Sequence, residues 1–253
     1  MIIKKSDLLE QPPGNLTIWR YLDITKFLDL IMNQRLFFIN MKNLSDQYEA
    51  SLPMSTIEEE RRRLAKKGFK DRDLEEGIAS YIYNSGHLLR DLNLVNSWSA
   101  GESESYALWK IYVGNRLAGA AIKSSVSRLT SAIEKGDDPY PEDLYVGRVQ
   151  YQDSIPKCDV NRFSLMMTKK TYYRYENEIR ACILHFPRSE GGVATPYDSS
   201  IGRYVRVDIS ELIDEIYLSP FMGKWVLEII ESILSICRPE IKALLVKSEM
   251  RDS

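Results

Sequence analysis

Tyr175-Glu176-Asn177-Glu178-Ile179-Arg180-Ala181-Cys182-Ile183-Leu184-His185-Phe186 is the stretch on which the fold turns. Side chains alternate across a strand, so Glu176, Glu178 and Arg180 share one face while Ile179, Ala181 and Ile183 line the other. Beyond Arg180 the polar face turns apolar with Cys182, Leu184 and Phe186. The pattern predicts a strand over 176–186, buried along most of its length, with a polar patch at its first end. Two same-face carboxylates on one strand stand roughly 7 Å apart, close enough to share a substrate and perturb each other's protonation. The plainer reading is a solvated strand start with Arg180 as counter-charge.

On the N-terminal side, further strands are expected at 16–22, 36–40, 94–99, 117–122 and 144–151. Helices are expected from Asp23 or Thr25 to Asn33, and at 103–112, 125–135 and 160–170. The strand at 117–122 is rich in Gly and Ala, so something packs closely on it. Charged helical stretches at 56–67 and 71–91 read as a helical insertion, about 55–92, within a single domain spanning 1–253. Past the opening stretch come a Gly191-Gly192 loop, strands at 203–209 and 215–219, a helix at 224–237 and a strand at 241–247. Strands and helices mix without a regular βαβ rhythm, which favours α+β over a doubly wound sheet.

With 253 residues, 44% hydrophobic and 28% charged, the chain can bury a full core. A net charge of −2 gives no reason to expect generic nucleic-acid binding. The start, Met1-Ile2-Ile3-Lys4-Lys5, has no apolar run of signal-peptide length, and the most apolar helix is interrupted by Glu228, Glu231 and Ser232. Cys158, Cys182 and Cys237 lack metal-like spacing, and His87 and His185 have no partner at ligand spacing, so no metal site is expected. A cytoplasmic protein with reduced thiols, away from membranes, is the simplest expectation.

Two other motifs carry chemistry. Arg20 shares a strand face with Leu16, Ile18 and Leu22, where a lone guanidinium is costly unless it meets an anion. That anion is either an internal acid, such as Asp46 or Glu49, or the phosphate or carboxylate of a ligand. Ser97-Trp98-Ser99 sets two small hydroxyls on one face and the indole on the other. This suits either a sugar or amide contact or an ordinary strand end with a core Trp.

Taken in order, Trp19-Arg20-Tyr21, Leu36-Phe37-Phe38 leading to Ser45-Asp46-Gln47-Tyr48-Glu49, Asn96-Ser97-Trp98-Ser99, Leu108-Trp109-Lys110-Ile111-Tyr112 and Tyr175–Arg180 resemble a bacterial family, domain of unknown function 2971, which includes abortive-infection proteins. A more distant resemblance, an early Arg followed by Ser-x-Ser and then Glu-x-Glu, is to the Arg–Ser–Glu class of ADP-ribosyltransferases. It implies a split β core of mixed or antiparallel sheets with flanking helices, binding NAD and acting on a macromolecular acceptor as a toxin or antiphage effector. By position it implies that Arg20, with Tyr21 beside it, and Ser97 with Ser99 hold NAD. Glu178 would grip the ribose 2′-hydroxyl and Glu176 would receive the target. Tyr172 or Tyr173 would be the aromatic of a target-recognition loop at 170–174. Asp46, Glu49, Trp109 and Arg180 are further polar candidates within the matching stretches.

Two alternatives remain. One is a non-catalytic module that recognises a nucleotide or partner protein, with Arg20, Asp46 and Glu178 as a structural ion network. The other is a nuclease-type toxin with Asp46, Glu49 and the Glu pair as metal ligands.

Overall fold

The structure, a computed structural model, describes residues 1–46, 49, 51–114, 118–139, 142–153, 155, 160–184 and 201–250. Gln47, Tyr48, Leu117, Cys158, His185, Phe186 and Gly191-Gly192 lie outside these residues. The strands are β1 (Ile2–Lys4), β2 (Thr17–Asp23), β3 (Arg35–Asn40), β4 (Asn93–Ala100), β5 (Gly119–Ser125) and β6 (Asp143–Arg148), followed by β7 (Gln150–Tyr151), β8 (Thr168–Lys169), β9 (Glu178–Leu184), β10 (Gly202–Arg206), β11 (Glu215–Leu218) and β12 (Leu245–Val246). All but β7 and β8 join one ten-stranded sheet, whose main path is β1-β6-β9-β4-β2-β5-β11-β12 and whose branch runs from β4 through β3 to β10. Within this sheet the β1–β6 and β11–β12 pairs are parallel and the other pairs antiparallel, so the architecture is α+β with a mixed sheet.

The sheet forks at β4. On one edge β4 pairs with β9 along its whole length, from Asn93 opposite Leu184 to Ser99 opposite Glu178. Its other edge is shared. Val95 and Leu94 pair with Ile39 and Asn40 of β3, whereas Ser99 and Ala100 pair with Trp19 and Ile18 of β2. Residues Asn96, Ser97 and Trp98 face the gap between the two branches. A buried backbone carbonyl without a partner is costly, and side chains supply the missing donors. Arg20 Nη1 donates to the Ser97 carbonyl at 2.7 Å, and Asn96 Nδ2 donates to the Phe37 carbonyl at 2.8 Å. The expected split core is therefore one sheet opened at β4, not two separate sheets.

The helices pack on both faces. Helix α1 (Ile24–Asn33) links the two branches, and its N-cap is Asp23, whose carboxylate accepts from the backbone of Thr25 and Lys26. Helices α2 (Met54–Lys66), α3 (Asp71–Ile82) and α4 (Leu88–Leu92) lie in sequence between β3 and β4. The predicted long helix at 71–91 is in fact interrupted by a π-helical turn at Tyr83–His87. Helix α5 (Tyr106–Tyr112) covers β2, while α6 (Val126–Lys135) packs against the short helix at Ile209–Leu212 and also meets β5 and β1. The remaining described helices are α7 (Arg162–Met166), α8 (Ile209–Leu212), α9 (Lys224–Cys237) and α10 (Pro239–Lys242). The main core includes Ile18, Phe27, Trp98, Ile122, Leu129, Ile179 and Ile183. A second cluster, with Met41, Val95, Met166 and Cys182, covers the opposite face, which is why every residue of β9 is buried.

Several expected elements differ. The helix at 160–170 is short, because Asn161 and Ser164 form a capping box at its start and Thr168–Lys169 leave it to pair with β7. The strand at 144–151 is divided at Val149, whose N–H bonds the Glu178 carbonyl. The strand expected at 241–247 begins instead in the last turn of helix α10 and a following turn, with only Leu245–Val246 extended. Gly119 explains the small residues of β5: a Cβ there would lie 2.8 Å from Val113 and press on the Leu22 carbonyl.

Candidate functional site

Glu176 does not lie on the strand with Glu178. A 3-10 helix runs over Thr171–Glu176, and Asn177 then adopts a left-handed conformation (φ 42°) before β9 begins at Glu178. Asn suits that conformation because its short amide bonds the local backbone. Asn177 Nδ2 donates to the Ala100 carbonyl, and its Oδ1 accepts from Arg148.

The polar patch is buried rather than solvated. Arg180 holds Glu178 bidentately, Nε to Oε1 at 2.7 Å and Nη2 to Oε2 at 3.0 Å. Its Nη2 also reaches Glu49 Oε2 at 2.6 Å, and its Nη1 donates to the Met166 carbonyl. Lys169 approaches three carboxylates: Glu176 at 2.6 Å, Glu178 at 3.2 Å and Glu49 at 3.3 Å. Burial alone raises a carboxyl, but Arg180 and then Lys169 outweigh it and bring Glu178 down to about 2, helped by the Ser97 side chain. Glu176, whose burial outweighs its bond to Lys169, is instead raised from its ordinary value. Burial opposes the charge on Lys169, yet Glu178 and Glu49 prevail and raise it.

Arg20 stands apart from this network. It is half-buried, and among the described residues no carboxylate lies within ion-pair distance of it. Glu49, one of its two expected partners, is committed to Arg180 and Lys169; Asp46, the other, is buried and forms no described ion pair with Arg20. The expected Arg20–Asp46–Glu178 network is thus replaced by one centred on Arg180 and Lys169. Burial lowers the Arg20 guanidinium to about 10, against the pull of Tyr112 and Glu178, and it stays charged at neutral pH. Its Cζ lies 5.8 Å from the centroid of the Trp98 ring.

A cavity of about 700 Å³ occupies the fork. Arg20, Tyr21, Ser97, Ser99, Glu176 and Glu178 all line it, together with Tyr112. On the side of the other branch its wall includes Asp29, Arg35, Phe37 and Tyr204. The volume is within the span of small-molecule and cofactor sites, roughly 300–1,000 Å³. Tyr21 is anchored at the wall, its hydroxyl accepting from the Ser105 N–H at 2.7 Å and its ring edge-on to Trp109.

No protein-family model matches the chain. No curated protein and no solved structure matches it either. The likeness to the Arg–Ser–Glu class and to the bacterial family therefore rests on the quoted residues alone.

Other candidates sit elsewhere. Trp109 is fully buried, bonding Glu104 at 2.8 Å, and does not line the cavity. Tyr172 and Tyr173 pack against each other on the 3-10 helix outside the cavity wall; Tyr172 is exposed and Tyr173 lies 4.9 Å from the Lys169 ammonium. Glu49, Glu176 and Glu178 converge on Lys169 and Arg180, so the carboxylates proposed as metal ligands surround cations, and no metal-ready cluster occurs among the described residues. Sequence reading missed Lys169, which it placed at a helix end, and Tyr112, which it quoted without a role. The signal for Lys169 was a Lys169-Lys170 pair shortly before Glu176, of which Lys169 is the one that turns inward.

Proposed function

We propose that the cavity binds NAD and that the chain is an ADP-ribosyltransferase-like enzyme acting on a macromolecular acceptor. The observation that carries this reading is Arg20: a half-buried cation with no carboxylate at ion-pair distance among the described residues, on the wall of a cavity that Ser97, Ser99, Glu176 and Glu178 also line. In this reading Arg20 holds the pyrophosphate, as a planar fork suits phosphate oxygens. The nicotinamide–ribose bond breaks with its electron pair leaving on nicotinamide, the ribose carbon gains cationic character, and the nearby carboxylates stabilise it. An acceptor then bonds that carbon and loses a proton. Glu176 is the carboxylate placed to take it, since its pKa is raised and its Oε1 accepts none of the described hydrogen bonds. A role as an intracellular toxin or antiphage effector follows only from the resemblance.

One observation favours a second reading, a non-catalytic nucleotide-binding module. Both oxygens of Glu178 are already engaged by Arg180 and Lys169, as in a structural ion network. Titration calorimetry with NAD, followed by chromatography for released nicotinamide, separates the two. Binding with release supports the enzyme, binding without release supports the module, and no NAD binding by the wild type removes the enzyme.

A further inference from the structure

The wall of the cavity on the β3–β10 branch holds a layered arrangement that the proposed chemistry does not use. Arg35, the first residue of β3, lays its guanidinium over the Tyr204 ring, 3.6 Å from the centroid. Asp29 of α1 grips the same guanidinium at Nη2 (2.6 Å) and Nε (3.1 Å). Phe37, directly opposite Tyr204 in the β3–β10 register, meets its ring at 5.0 Å. The ion pair keeps Arg35 charged, its pKa raised chiefly by the hydrogen bond to Asp29.

An exposed arginine ordinarily loses considerable rotamer freedom when it binds something. Here Tyr204 beneath and Asp29 at the edge already hold the plane, while the Arg35 side chain keeps about a third (35%) of its surface accessible. A fixed, flat, cationic face on a cavity wall matches the π-face of a heteroaromatic ring, which stacks on guanidinium planes as it does on aromatic side chains. A sugar or an aliphatic chain would gain little from such a surface.

We propose that the outer face of Arg35, backed by Tyr204, is a subsite for the base of a nucleotide whose phosphates reach Arg20. This rests on the nucleotide reading of the cavity and adds to it the group that determines affinity. The test uses ADP and inorganic pyrophosphate as probes, with calorimetry on the wild type, Arg35→Lys and Tyr204→Leu. The wild type should bind ADP at least tenfold more tightly than pyrophosphate, in line with one stacked base. Arg35→Lys and Tyr204→Leu should each lose about that factor for ADP and leave pyrophosphate unchanged. Equal wild-type affinities for the two probes, or variants that bind ADP as well as the wild type, overturn the subsite while the anion site stands. Failure of the wild type to bind either probe overturns the nucleotide reading as a whole, and this subsite with it. Thermal melts of each variant identify any loss due to unfolding; in that event Arg35→Gln, which keeps a planar group and a hydrogen bond to Asp29 without the charge, takes its place and must show the same ADP-specific loss.

Discussion

Arg20 closes the fork in the sheet by donating to the Ser97 carbonyl at 2.7 Å, across 77 residues of sequence. One guanidinium thus satisfies a backbone group that neither branch can reach, and it presents the rest of its charge to the cavity. A single hydrogen bond of this kind contributes only about 0.5–1.5 kcal/mol net to stability. An arginine is a costly means to that end, which argues that its charge serves a ligand.

Arg20→Leu should therefore lower stability by no more than about 2 kcal/mol while reducing pyrophosphate affinity by at least tenfold. Arg20→Lys should recover part of the affinity, since a point charge replaces a fork. Denaturant melts and calorimetry read the two effects separately, and an unchanged affinity in Arg20→Leu would remove the ligand role.

Arg180 is the opposite case. It is 1% exposed and holds Glu178 and Glu49 together, so Arg180→Leu leaves two buried carboxylates short of their main counter-charge. A loss of about 3–5 kcal/mol is expected from the shift in urea midpoint. Lys169, still in place, limits the damage by retaining contact with both.

Acid stability follows from Glu178. Its carboxyl is held down at about 2, below the unfolded value of roughly 4.3, so it stabilises the fold above that unfolded value. The contribution is lost as pH falls from there toward 2. In Glu178→Gln the melting temperature should change less with pH across this window than in the wild type. Glu176 runs the other way: its raised pKa favours the fold at low pH, and the contribution declines as pH rises through the raised value.

Gly119→Val should destabilise by at least about 2 kcal/mol, because the added side chain meets the Leu22 carbonyl and Val113 with no room to relax. Gly119→Ala should follow in the same direction with a smaller drop. A wild-type melting temperature in the valine variant would show that the β2–β5 junction is looser than described.

Much of the chain's local structure can be read from residues alone. Alternation marks the strand from Glu178 to Leu184, Asp23 and Ser125 announce their helices, and the Gly-Ala run at 119–121 signals close packing. These depend on interactions within a few residues, which the local pattern encodes directly. The candidate residues Arg20, Ser97, Ser99, Glu176 and Glu178 were likewise singled out by type and order.

What those residues do to one another came from the assembled fold. Alternation set Glu176 and Glu178 on one strand face, yet the left-handed turn at Asn177 separates them and Lys169 rejoins them from a strand too short to show a period. Glu49 meets Arg180 across 131 residues, a partner no spacing rule could select. Periodicity records which side of an element is apolar; which charges meet in the interior depends on strand order, on where β4 parts from its two neighbours, and on the need to pair every charge that burial removes from water.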